Sequence, residues 1–211
     1  MNQMTSQNNN LSLPGLFLDQ VEDIDILERE WAIVDIETSD AYLKDGRIIE
    51  IAIIIVKDFK VIKTFKTVIN PLSEISPFIQ NLTGISNEDV EAAPTFESLC
   101  LEIYNLLENR LFIAHNASFD YNFIKDEFTA ININFNENRL CSVKLSKSLF
   151  PEYRKHSLDT IVERHNLIIK NRHRAYDDAY AVFKFLEKLK NEVGEKNLKE
   201  RMLKSFKRRV S

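Results

Sequence analysis

Ten residues at positions 31–40, WAIVDIETSD, constrain this chain more than any other stretch. An apolar run ends in two carboxylates, Asp35 and Glu37, two positions apart. Successive side chains of an extended strand point to opposite faces. Trp31, Ile33, Asp35 and Glu37 therefore share one face, and Ala32, Val34 and Ile36 share the other. Two like charges at the end of an otherwise buried strand repel each other and need a neutralising partner, for which a divalent cation is the usual answer. A strand that ends in a solvated acidic turn is the competing reading at this point.

Bulk properties narrow the field. The chain has 211 residues, which fit one domain long enough to bury a core. Hydrophobic residues make up 44% and charged residues 28%, as in ordinary globular proteins. The net charge of −4 excludes a bulk polycation, so any nucleic-acid contact must use local patches or metal. The longest apolar run, residues 51–56, is strand-sized and far short of a membrane span. The N-terminus, MNQMTSQNNN, lacks the basic region and apolar core of a signal peptide. Cys100 and Cys141, the two cysteines, sit in apolar contexts and read as buried free thiols of a reducing compartment. The expectation is a cytoplasmic protein with no membrane partner.

Along the chain, residues 1–29 read as a polar, flexible tail, 30–192 as the folded domain and 193–211 as a basic C-terminal tail. Within the first tail, LSLPGLF at 11–17 loosely resembles peptides that bind bacterial sliding clamps. Asn10 stands where those peptides carry Gln, and packing on the body or a plain linker competes with that reading. RIIEIAIIIVK at 47–57 is nearly continuously apolar, as expected of a central strand covered on both faces. A tight turn at 57–60 leads to 61–70, whose Lys63, Lys66 and terminal Pro71 suit an edge strand. Phe96, Leu99, Cys100, Ile103, Leu106 and Leu107 form a helical stripe after Pro94-Thr95. A short strand at 111–114 precedes a helix at 118–129, with Ser118 as its expected N-cap. A last strand is expected at 139–142, then helices near 143–150, 157–165 and 174–190. The order βββαβαβ followed by helices predicts an α/β fold with a five-stranded mixed sheet flanked by helices. Residues 196–211 hold seven basic residues against one acidic, which suits either a solvated helical or frayed terminus or contact with a nucleic-acid backbone.

Helical phase then selects two more acids. Asp120 lines up with Phe123, Ile124 and Phe128, so it faces the edge of the core. Asp178 lines up with Val182, Phe185 and Leu189, whereas Asp177 lines up with Ala181, Lys184 and Lys188. Asp178 is therefore the inward acid, and Asp177 is expected at the surface beside its lysines. Four acids facing inward from three elements are hard to bury without cations. Oxygen-only ligation favours Mg²⁺ or Mn²⁺ over Zn²⁺. Two such ions at a phosphate would activate water and stabilise the leaving oxygen. His173 stands five residues before Asp178, where an imidazole would accept a proton from that water. His115, ending a strand beside Asn116, reads as structural support or polar lining. His156 and His165 have nothing specific around them.

Three segments together resemble the motifs of one family. They are Asp35-Ile36-Glu37-Thr38, then His115-Asn116-Ala117-Ser118-Phe119-Asp120, then His173-Arg174-Ala175-Tyr176-Asp177-Asp178-Ala179. In order and spacing they are similar to the motifs of the DnaQ-like, or DEDDh, 3′–5′ exonucleases, over about residues 31–189. Residues 82–86 (LTGIS) and 157–160 (SLDT) also resemble family segments. The related subgroup that uses Tyr places it four residues before the last Asp, where this chain has Arg174. The resemblance implies a ribonuclease H-like fold and removal of nucleotides from a 3′ end, in the manner of the proofreading subunits of bacterial replicative polymerases. It implies that Asp35, Glu37, Asp120 and Asp178 hold two Mg²⁺ or Mn²⁺ ions, with His173 as general base. Thr38, His115 and Asn116 would contact the substrate. Family members often follow the Thr with a second Thr or a Gly-hydrophobic pair. Here Ser39-Asp40-Ala41 follows, leaving Tyr42 and Leu43 to pack on the terminal base. The substrate implied is the 3′ end of single-stranded DNA or RNA, with a polymerase or sliding clamp as a possible partner. An RNA exonuclease of the RNase T or oligoribonuclease type, and a non-catalytic scaffold, are the alternatives.

Overall fold

The computed structural model describes residues 26–40, 42, 44 and 46–207. The clamp-like motif at 11–17 and most of the N-terminal tail lie outside the described residues. At the boundary, Ile26 is buried, and its carbonyl accepts a 2.9 Å hydrogen bond from Trp31 Nε1.

The chain opens with three strands, β1 (Trp31–Thr38), β2 (Ile48–Lys57) and β3 (Lys60–Val68). Helices α1 (Pro77–Thr83), α2 (Asn87–Glu91) and α3 (Phe96–Leu107) follow, then β4 (Leu111–Ala114), α4 (Ser118–Ala130) and β5 (Arg139–Cys141). The last part holds α5 (Ser142–Leu149), α6 (Leu158–Arg164), α7 (Ala175–Val193), α8 (Glu195–Ser205) and β6 (Phe206–Lys207). The sheet order is β3-β2-β1-β4-β5-β6. The first three strands form an antiparallel meander, while β4 pairs parallel to β1 and β5 parallel to β4. Parallel pairing requires crossovers, and the helices supply them.

Alternation along β1 works as read. Trp31 and Ile33 join one core face with Val182, Phe185, Leu186 and Leu189 of α7, while Ala32, Val34 and Ile36 join the opposite face with residues of α3 and α4. A small third cluster, Ile49, Ile75, Ile79, Ile85 and Val90, seats α1 and α2. Short helices of this kind carry little periodicity, and their caps mark them instead. Ser76 caps α1, Ser86 and Asp89 form a capping box on α2, and Gly84 closes α1 in the left-handed region at φ 72°.

Four expectations are corrected. The N-cap of α4 is Ala117, not Ser118, and no side chain caps it. The chain enters that helix from Asn116 in the left-handed region, so the capping position falls one residue earlier. Residues 195–207 are not a loose basic tail. Leu198 and Met202, four apart, are fully buried, and Phe206 and Lys207 pair with Leu140 and Arg139 as an added sheet edge. Density of charge masked that two-residue stripe. Asp177 does not assist the lysines that follow it. Lys184 pairs with Glu187 and Lys188 with Glu192, and Ala181, which stands between Asp177 and these lysines, is buried. Finally, Cys100 and Cys141 are free but only half-buried.

Candidate active site

Asp35 and Glu37 leave β1 on the face covered by α7, where the strand reaches its end. A bulge interrupts the β1–β2 register between Glu37 and Thr38, so Glu37 stands opposite Glu50 and Thr38 opposite Ile48. Bulges re-aim side chains next to functional sites. Helix α7 runs past this point and presents Asp178 from its first turn. One carboxylate oxygen from each of Asp35, Glu37 and Asp178 lies within 4.8 Å of the others. Asp120 enters from α4, 3% exposed. Its Oδ2 is buried with no hydrogen-bond partner.

Crowding shows in the protonation of these acids. Burial first, then Asp120 and Glu37, hold Asp35 well above the usual carboxylate range, against the pull of Arg172. Burial, then Glu50 and Asp120, push Glu37 up to about 7. Burial likewise pushes Asp120 up to about 7, opposed by its own backbone amide and that of Ile36. Acids that resist ionisation at neutral pH are an oxygen set short of positive charge. Together with the orphaned Asp120 oxygen, they fit divalent cations.

Among the described residues, two arginines that sequence reasoning passed over bring positive charge to this cluster. Arg172 forms an ion pair with Asp178 and donates from Nε to Asp159 Oδ1 of α6 at 2.7 Å. Arg174 is bound by Glu50, a residue only 7% exposed. Glu50 was the available signal, as the lone acid in a continuous apolar strand. Nothing in sequence spacing pointed to Arg172.

The other expected site residues are placed as follows. His173 lies half-buried in the loop before α7, in the left-handed region at φ 63°. Its imidazole has no hydrogen-bond partner among the described residues. His115 Nδ1 lies 2.9 Å from Ser142 Oγ, and burial, helped by the Arg172 charge, pushes the ring down to about 4. His115 is therefore neutral in ordinary buffers. Asn116 is exposed, and its carbonyl accepts from Phe119 N at 2.8 Å to start α4. Thr38 is 4% exposed, and its hydroxyl donates to the Asp40 carbonyl at 2.7 Å.

That contact explains the unusual Ser39-Asp40. Ser39 Oγ accepts from Arg47 N at 3.0 Å, and Asp40 Oδ1 accepts from Tyr42 N at 3.1 Å. A side chain on Gly46 would come within 2.6 Å of the Asp40 carbonyl, so only glycine lets the loop close. Arg47 then anchors the loop to Glu127 of α4 through two 2.7 Å hydrogen bonds. Tyr42 stands out from this loop, 72% exposed, and Leu43 lies outside the described residues.

A mixed sheet of this order, with acids gathered where its central strand ends, defines a ribonuclease H-like nuclease fold. The chain belongs to the RNase T exonuclease family, whose model matches residues 32–186 and whose members use divalent metal ions. It is 39% identical over 159 residues to the 3′-5′ exonuclease DinG of Staphylococcus epidermidis, covering 75% of this chain and 18% of that protein. It is 35% identical over 178 residues to a PolC-type DNA polymerase III of Caldanaerobacter subterraneus, covering 82% of this chain and 13% of that one. This chain thus spans less than a fifth of either relative's length. Among solved structures, Exonuclease X in complex with 5′ overhanging duplex DNA superposes with a TM-score of 0.63 at 24% identity, covering 82% of this chain and 96% of that one. E. coli Exonuclease I in complex with a dA16 oligonucleotide gives a TM-score of 0.70 at 17% identity, covering 83% and 43%.

Proposed function

We propose that this chain is a metal-dependent 3′–5′ exonuclease. It hydrolyses phosphodiester bonds at single-stranded 3′ ends, chiefly of DNA, and releases nucleoside monophosphates. The observation that carries this reading is the convergence of Asp35, Glu37 and Asp178 within 4.8 Å, in a chain of an exonuclease family. Asp35, Glu37, Asp120 and Asp178 would hold two Mg²⁺ or Mn²⁺ ions, which would activate water and stabilise the leaving oxygen. His173 accepts the proton of the attacking water at an imidazole nitrogen; no hydrogen bond from the described residues competes for that ring. His115, oriented by Ser142, and Asn116 line the seat of the terminal nucleotide. Thr38 shapes that seat by holding the loop at Asp40.

The PolC-type relative is by name a DNA polymerase, which supports DNA as substrate and proofreading in replication as the role. A replicative polymerase or its sliding clamp is then the natural partner. Two free thiols suit work in the cytoplasm, and no helix among the described residues is long and apolar enough to cross a membrane.

A degradation time course on 3′-labelled single-stranded DNA, duplex DNA with a mismatched end and single-stranded RNA, with Mg²⁺ or with EDTA, tests the reading. Single-stranded DNA should shorten stepwise with Mg²⁺ and stay intact in EDTA. Asp35→Ala and Asp178→Ala should lose activity while keeping the fold, and His173→Ala should slow turnover while keeping Mn²⁺ binding. RNA degraded faster than DNA would reassign the substrate. Wild-type inertness on all three would leave only a scaffold.

A further inference from the structure

We infer that Glu50 is a positioning residue of this active site: from β2, it sets where α7 begins and so fixes His173 and Asp178 against Glu37. The inference rests on the nuclease reading above.

Helix α7 has no cap of its own. Its N-cap residue is Arg174, which makes no side-chain cap hydrogen bond. The missing acceptor comes from another element. Glu50 Oε2 accepts from Ala175 N at 2.9 Å, the first amide of the helix. The same carboxylate binds the Arg174 guanidinium, with Nη2 at 2.6 Å and Nε at 3.2 Å from Oε1. Glu50 thus grips two successive residues, one through its backbone and one through its side chain. His173 directly precedes that pair, and Asp178 lies one turn beyond it.

At its other end Glu50 is tied to the acid cluster. It is the Cα partner of Glu37 across β1 and β2, one step before the bulge. Directly opposed like charges destabilise a sheet, and burial of a carboxylate adds to the cost. A Ser or Asp at position 174 would cap α7 locally without either penalty. Capping from β2 achieves something a local cap does not. It locks the start of α7 to the strand pair that carries Asp35 and Glu37, so the residues before and after the cap keep a fixed offset from those acids. Reacting groups held about 1 Å out of place lose about 100-fold in rate.

Glu50→Ala and Glu50→Gln test this. Each variant is compared with wild type by Mn²⁺ titration, thermal melting and steady-state cleavage of single-stranded oligonucleotide. Glu50→Gln keeps the size and an acceptor for Ala175, so it remains informative if Glu50→Ala fails to fold. The expected result is about a 10- to 100-fold loss of kcat per Mn²⁺-binding molecule, with KM changed less than about threefold. Amide exchange at residues 175–178 should quicken. A kcat per Mn²⁺-binding molecule equal to wild type in both variants overturns the inference, since a purely structural cap costs folded protein and not turnover. An inactive wild type overturns the nuclease reading itself and the inference with it. An active wild type with active variants overturns the inference alone.

Discussion

Single carboxyl groups gathered around the end of β1, from that strand and from α4, carry the most information about this molecule. Glu37 and Asp120 hold their protons up to about pH 7, whereas an unfolded chain releases them at about pH 4. Between those values the unfolded chain binds fewer protons than the folded one, so stability falls as pH rises and levels off above the folded values. His115, pushed down to about 4, acts in the opposite sense below its unfolded value of about 6.5. The carboxyl effect should therefore be clean above that point. In EDTA, the melting temperature should fall between about pH 6.5 and pH 8. Mg²⁺ should raise it more at the higher pH, where the acids are free to ionise. A flat melting profile in EDTA would argue against the crowding of these acids.

Elements matter through the few side chains that tie their ends together. Arg47 and Glu127 bind the β1–β2 loop to α4, and Glu50 binds β2 to α7. Arg172 joins Asp159 of α6 to Asp178 of α7, across the loop that carries His173. A guanidinium against Asp178 competes with any divalent cation for the same oxygens. Arg172→Gln should therefore bind Mn²⁺ more tightly, by about fivefold or more, since the paired atoms are buried and their contact is worth at least about 1 kcal/mol. Titration followed by electron paramagnetic resonance reads this directly. Weaker binding in the variant would show that Arg172 supports the site and does not compete for it.

Over the whole molecule, the two covered faces of the sheet hold everything in register. Trp31 and Phe185 are buried on one face, and Phe112 and Phe128 on the other. Helix α8 closes the first face, with Leu198 and Met202 fully buried. Leu198→Ala should cost about 2–5 kcal/mol, lowering the melting temperature by about 5–15 °C. Calorimetry checks this, and a change within error would mean that residues 195–207 are not part of the cooperative unit. Overall charge is a weaker guide. The net value of −4 includes a basic C-terminal segment that nonetheless packs on the body through Leu198 and Met202.

Sequence alone determined what depends on local period and on spacing. Alternation along residues 31–38 placed Asp35 and Glu37 on one face, and helical phase turned Asp120 and Asp178 inward. Strands β1 to β5 and the helices α3, α4 and α7 followed from their apolar patterns, whereas α8 and β6 were hidden by their charge. The short α1 and α2 did not follow either, because five to seven residues hold too little period and are marked by caps alone. Tertiary structure alone decided the partners that meet across long separations. Glu50 and Arg174 lie 124 residues apart and Arg47 and Glu127 lie 80 apart. No spacing rule brings such pairs together; only packing of β2 and α4 against their neighbours does. The bulge after Glu37 is of the same kind, since a register shift belongs to two strands at once. The sequence thus pointed to the acids that cluster, and the fold decided which arginines and cross-braces stand beside them.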